Sequence, residues 1–167
     1  MRILIAYAGR TGGARSMCEL LASLLPRQEV VLFDLACDKT RPVLGDFDYI
    51  VLGGSIRMAR LPRAARAYLK ENADALAERP HTLFLCCAFP DQFENYAEMV
   101  FPRNVLENAD ECLYFGGELD LSKQRGLDKW IVRMMRNAIK ESEDADAMLP
   151  GLLPEHVRLL ADRLSGR

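Results

Sequence analysis

Arg2-Ile3-Leu4-Ile5-Ala6-Tyr7-Ala8-Gly9-Arg10-Thr11-Gly12-Gly13-Ala14-Arg15 decides the fold. Arg2–Tyr7 is a short apolar run without alternation, the pattern of a strand covered on both faces. Gly9, Gly12 and Gly13 then break it. From Arg15 apolar residues recur at helical spacing, at Met17, Leu20, Leu21, Leu24 and Leu25, until Pro26 stops the pattern. A buried strand, a glycine-rich turn and an amphipathic helix make the first half of a βαβ unit.

The pattern repeats along the chain. Glu29–Leu35 predicts a second strand, and Cys37–Phe47, with Pro42 and Gly45, a connector. Tyr49–Leu52 predicts a third strand ending at Gly53-Gly54, followed by a helix from about Leu61 to Leu76. His81–Ala88 predicts a fourth strand, broken by Pro90. Tyr96–Leu106 has helical spacing interrupted at Pro102. Glu111–Phe115 predicts a fifth strand closed by Gly116-Gly117. Two further helices are expected at Leu127–Lys140 and Pro154–Leu164, joined by an acidic surface loop over Glu141–Pro154. Strands alternating with helices, without repeat or linker, indicate one doubly wound α/β domain over residues 1–167.

Composition narrows the function. A chain of 167 residues can bury a full core. With 22 basic and 24 acidic residues the net charge is −2, which gives no bulk attraction to nucleic acid. The longest apolar runs, such as Thr82–Phe89, fall short of the roughly 20 residues a membrane span needs. The N-terminus runs straight into a strand pattern, so no secretory signal is expected. Cys18, Cys37, Cys86, Cys87 and Cys112 are odd in number and contain no CxxC pair, and His81 and His156 are the only histidines. Neither a zinc site nor a disulfide framework is expected, and the cytoplasm is the expected compartment. Most of the thiols fall in apolar segments and read as small buried hydrophobes.

In an open α/β sheet, ligands bind beyond the carboxyl ends of the strands. The loop Gly9-Arg10-Thr11-Gly12-Gly13-Ala14 lies there, ahead of a helix. Glycines let the backbone approach an anion, and a helix N-terminus supplies free N–H groups and the positive end of a dipole. Thr11 can add a hydroxyl, and Arg10 or Arg15 a counter-charge. The loop therefore reads as a phosphate cradle, with a plain glycine-rich βα turn as the alternative. GxGxxG and the P-loop pattern are both absent. No cysteine nucleophile sits in the loop, and Tyr7 and Gly53 occupy strand ends where a receiver domain would need carboxylates.

Four places together resemble the flavodoxin-fold proteins, in particular the branch of menaquinone-dependent protoporphyrinogen oxidases. They are Tyr7–Ala14, Val51-Leu52-Gly53-Gly54-Ser55-Ile56-Arg57, Phe115-Gly116-Gly117-Glu118-Leu119-Asp120 and the amphipathic Leu127–Arg136. The resemblance implies a flavodoxin-like five-stranded parallel sheet in the order 2-1-3-4-5, with helices on both faces. It also implies an FMN site. Gly9, Arg10, Thr11, Gly12, Gly13 and Ala14 would hold the phosphate. Ser55, Ile56, Arg57 and Met58, with Cys87, Ala88, Phe89 and Phe93, would flank the flavin ring, Met58 and Phe89 as its walls. Flavodoxin phosphate loops usually carry more hydroxyls; this chain keeps Thr11 and Gly12 but has Gly9 and Ala14 at two such positions. No general acid or base stands out, so the flavin would carry the electrons. The expectation is an FMN-dependent oxidoreductase working with a quinone or a redox partner. A non-enzymatic electron shuttle and a flavodoxin fold that has lost its flavin are the alternatives.

Charge is unevenly distributed. Residues 1–80 hold 12 basic and 9 acidic side chains, and residues 81–167 hold 10 and 15. Arg57, Arg60, Arg63, Arg66 and Lys70 step by three or four, which places the helical members on one ridge. The ridge could receive an anionic small molecule or an acidic redox protein, or be a solvated helix face. Leu127, Trp130, Ile131, Met134, Met135 and Ala138 form an apolar stripe. It suits either packing on the sheet or a peripheral contact with the inner face of the membrane, where a quinone would be met.

Overall fold

The computed structural model describes residues 1–38, 40–117 and 151–167. Five parallel strands form one sheet: β1 (Arg2–Ala8), β2 (Glu29–Asp34), β3 (Tyr49–Ser55), β4 (His81–Cys86) and β5 (Glu111–Tyr114). Their order is β2-β1-β3-β4-β5. The first crossover leaves β1 in one direction and the chain returns to β3 on its other side. The carboxyl ends of β1 and β3 therefore open a crevice between diverging connections.

Residues alternate cleanly between two cores. On one face Leu4, Ala6 and Ala8 of β1, Ile50 and Leu52 of β3 and Leu83 and Leu85 of β4 meet α2 (Arg63–Ala77), α3 (Phe93–Val100) and α4 (Arg103–Asn108) through Tyr68, Leu69, Ala97 and Val105. On the other face Ile3, Ile5 and Tyr7, Tyr49 and Val51, and Phe84 and Cys86 meet α1 (Gly13–Ser23) and α5 (Pro154–Ser165) through Met17, Leu21, Val157 and Leu160. Apolar residues at both parities explain why these strands read as unbroken hydrophobic runs.

Three expectations change. β3 does not stop at the glycine pair but continues through Gly53 and Gly54 to Ser55, which pairs with Cys86. The helical pattern at Tyr96–Leu106 is two helices: α3 ends at Val100, and Pro102 caps α4 because proline cannot continue a helix but suits its start. α3 begins at Phe93, straight after a 3-10 turn at Pro90–Gln92. The expected helix at Leu127–Lys140, with its Trp130 stripe, lies outside the described residues, as do Glu118–Asp120 and most of the loop at Glu141–Pro154.

Candidate functional site

Three strand ends meet at the carboxyl edge of the sheet. The loop from Gly9 to Gly12 joins β1 to α1, and Gly12 caps α1 in the left-handed region (φ 91°, ψ −13°). Among the described residues no side chain caps this helix, and its first turn carries no acidic residue. The leading amides of α1 are therefore left for something other than a side-chain cap. A β-carbon at Gly12 would have nothing within 4 Å, so the mouth of the loop is open there. Thr11 and Gly13 are half-buried, Ala14 is buried and Arg10 exposed. Arg15 is committed elsewhere: its Nε donates to Glu19, one turn on, at 2.8 Å.

The second strand end closes against the first. A β-carbon at Gly9 would stand 3.1 Å from Ser55 Oγ and 3.2 Å from the Ala14 methyl. The loop thus packs flush on β3 at position 9, where any side chain would crowd Ser55 and Ala14, a tertiary constraint that a motif comparison does not reveal. Ser55 in turn pairs with Cys86 in the β3–β4 register. Ile56 N–H donates to Cys86 O at 2.8 Å, which extends the β3–β4 ladder beyond the strands.

Beyond Ile56 the chain makes a tight hairpin. Arg57 N–H donates to Arg60 O (2.9 Å) and Arg60 N–H to Arg57 O (3.0 Å). Met58 (φ 49°) and Ala59 (φ 57°) are both left-handed. Two central residues with positive φ characterise a mirror-image two-residue turn, which usually uses Asn-Gly. Without glycine each such residue costs on the order of 1–2 kcal/mol. Neither Met58 nor Ala59 is a residue that favours such a turn, so the hairpin is not legible from composition. The turn lifts Met58 to 72% exposure, whereas Leu61 just beyond is buried at 2% and anchors the entry to α2.

The third strand end is built on Tyr114. Its hydroxyl donates to Cys87 O at 2.9 Å, and its ring packs on Phe93 at 5.6 Å between centroids. Cys87 N–H donates to Gly116 O (3.0 Å), and its thiol to Phe89 O (3.5 Å). Ala88 and Phe89 are half-buried. Phe93 is half-buried and packs against the α2-side core. The segment 151–153 returns beside this edge: Leu153 N–H donates to Phe115 O (3.0 Å), and Leu152 Cδ2 would lie 3.4 Å from a β-carbon on Gly13. Tyr114 and Leu152 were not candidates from sequence; only the β4–β5 pairing and the C-terminal return place them here.

These observations show one edge at the β1/β3 switch point where the loops after β1, β3 and β4 converge on an uncapped helix N-terminus. The flavodoxin domain family matches residues 4–146 of this sequence. The chain belongs to that family. Among curated proteins, this flavodoxin-domain chain is similar to the protoporphyrinogen IX dehydrogenase [quinone] of Escherichia coli K12. The two are 26% identical over 144 residues, covering 81% of this chain and 78% of that protein. Among solved structures, the Streptococcus pneumonia TIGR4 flavodoxin superposes with a TM-score of 0.54 at 14% identity, over 99% of both chains. The rubredoxin oxygen:oxidoreductase of Desulfovibrio gigas superposes at 0.58 and 9% identity. That match covers 97% of this chain, which spans 36% of the larger protein. At these identities the structures share the fold. No described helix of this flavodoxin-domain chain is long and apolar enough to cross a membrane.

The two thiols at the edge are chemically quiet. Burial pushes Cys86 up to about 12 and Cys87 up to about 11, from an ordinary 9.0. A two-unit rise leaves about a hundredfold less thiolate at pH 8 than an ordinary cysteine has. In the native flavodoxin domain Cys87 should alkylate with iodoacetamide about a hundredfold more slowly than in the unfolded chain, with exposed Cys37 modified first. Mass mapping of a time course checks this; equal rates at Cys37 and Cys87 would refute it. These are acids raised above their unfolded values. They favour the native state below about pH 9 and lose that contribution as the pH climbs through 11 to 12.

Proposed function

We propose that this chain is a single-domain redox protein, residues 1–167, that binds FMN at the carboxyl edge of β1, β3 and β4. We further propose that it works as an oxidoreductase, with a quinone or another redox partner taking up the electrons. The observation that carries the reading is the open, uncapped N-terminus of α1 entered through left-handed Gly12, at the crevice where β1 and β3 diverge. Flavodoxins are themselves the reference case for this strand order and this crevice. The curated relative acts on protoporphyrinogen IX with a quinone, by its name, and this chain covers most of its length.

The residues fit an FMN phosphate. The amides of Gly12, Gly13 and Ala14 and the hydroxyl of Thr11 supply donors without a carboxylate in the first turn to compete. Arg10, exposed at the mouth, adds positive charge. Gly9 belongs to this arrangement because it lets the loop close on Ser55. The backbone of Ser55–Arg57 and of Cys87–Phe89 is held by the Ile56–Cys86 and Tyr114–Cys87 hydrogen bonds. Those segments can thus present amides and carbonyls to a flat ring in set positions. FMN, when bound, supplies the one- and two-electron chemistry; the chain binds it, orients it and tunes it.

Titrating the purified protein with FMN and following flavin fluorescence tests the site. Thr11→Val should weaken binding by about tenfold to a hundredfold, as expected for one lost hydrogen bond to a charged group, with unchanged thermal unfolding. An unaltered affinity would place the phosphate elsewhere, and no binding by the parent protein would reject the reading.

A further inference from the structure

Arg60, at the end of the hairpin through Met58-Ala59, and Arg63, Arg66 and Lys70 in the first half of α2 carry positive charge that the described surface does not neutralise. Six arginines elsewhere have carboxylate partners: Arg2 with Glu29, Arg15 with Glu19, Arg41 with Glu71, Arg103 with Glu107, Arg163 with Glu111 and Arg167 with Asp110. Arg60, Arg63, Arg66 and Lys70 are exposed and pair with no carboxylate among the described residues. Arg63, Arg66 and Lys70 share one face of α2 by their spacing of three and four. Arg57 and Arg60 are the paired positions of the turn leading into it.

The placement works against stability. Three of these cations crowd the start of α2, where the helix dipole is already positive, and no acidic residue offsets them in its first turn. The Arg57–Arg60 hairpin just ahead of α2 holds two non-glycine residues in left-handed backbone and lifts Met58 into solvent. Uncompensated cations and local strain, combined at one place beside the end of β3, are the signature of a surface shaped by a partner rather than by folding.

We infer that this ridge docks the acidic face of a protein electron-transfer partner, with Met58 as the apolar contact at its end. The inference rests on the redox reading above and names the partner of that site. Arg63 to Lys70 alone span roughly 10 Å along the helix axis, a line suited to a row of carboxylates rather than to a single small anion. A bilayer surface calls for a broad apolar face with large side chains; here one methionine stands among the charges. Electron-transfer encounters use small, charge-steered interfaces in which arginine and methionine are favoured.

The probe is a fluorescein-labelled plant-type [2Fe–2S] ferredoxin, an acidic electron-transfer protein, followed by anisotropy at about 20 mM and about 300 mM salt. The parent protein should bind at low salt and release at high salt. Arg63→Glu with Arg66→Glu should weaken low-salt binding at least tenfold. Arg27→Glu, a reversal at an exposed position in the turn before β2, should change it less than twofold. Salt-insensitive binding, no binding, or equal loss in the Arg27 variant would overturn the inference. So would stronger retention of the parent protein than of the double variant on phosphatidylcholine vesicles with 30% phosphatidylglycerol combined with no ferredoxin binding, which would assign the ridge to a membrane. Binding is read without flavin chemistry, so failure to load FMN would reject the redox reading separately.

Discussion

Gly53→Ala is expected to lose most of the stability of the fold. Gly53 lies in the middle of the sheet, opposite Phe84 of β4. A methyl there would overlap the Phe84 carbonyl oxygen and come within 2.7 Å of the Phe84 ring carbons. The ring cannot retreat easily, because it stacks on Phe115 at 4.7 Å and 18° and is fully buried. The carbonyl cannot retreat either, because it is strand backbone within the β3–β4 ladder. The cost should reach about 4 kcal/mol or more, at the exceptional end for a single substitution, against a total stability of about 5–15 kcal/mol for an ordinary domain. Gly45→Ala is the control: its methyl would meet only side-chain atoms at 3.6 Å and 3.8 Å. Soluble yield and a urea unfolding curve measure both variants. A Gly53→Ala protein that unfolds at the parent's midpoint would show that β3 and β4 separate more easily than their packing implies.

The importance of Gly53 illustrates what the sequence conveys. Continuous apolar runs at Ile3–Tyr7, Tyr49–Leu52 and Thr82–Cys86 were legible as strands because both sheet faces are covered, so every position is under the same hydrophobic demand. α1 and α5 were legible from their stripes, since Met17 and Leu21, and Val157 and Leu160, point to one core. Gly53-Gly54 read as punctuation at a strand end. The pair is instead strand interior, Gly53 kept small by Phe84 of β4 and Gly54 by the backbone of Ala8 on β1. The hairpin at Met58-Ala59 carried no signal at all. Its backbone is set by the Arg57–Arg60 pairing and by the burial of Leu61, not by residues that favour it. The phosphate-loop candidates were visible because glycine chemistry is local. Tyr114 and Leu152 were invisible because they reach the edge only through tertiary pairing.

A substitution at Gly12 should separate binding from folding. Gly12→Asp places a carboxylate at the mouth of the loop, where a β-carbon meets nothing within 4 Å. The backbone is left-handed there, which aspartate tolerates better than most residues at a cost of about 1 kcal/mol. A negative charge at the start of α1 recovers roughly 0.3–1 kcal/mol of that from the helix dipole. The unfolding midpoint should therefore stay close to the parent's. FMN would instead meet a carboxylate where the proposed site places its phosphate. Like charges so placed cost several kcal/mol, so affinity should fall at least about a hundredfold. Part of the loss should return at high ionic strength as the repulsion is screened. Gly12→Asn has nearly the same shape and backbone tolerance without the charge, and it should keep most of the affinity. A fluorescence titration of the three proteins decides the matter. If aspartate and asparagine bind FMN equally well, the phosphate does not sit at the α1 N-terminus. If only aspartate fails, the anion is held where the left-handed glycine opens the helix.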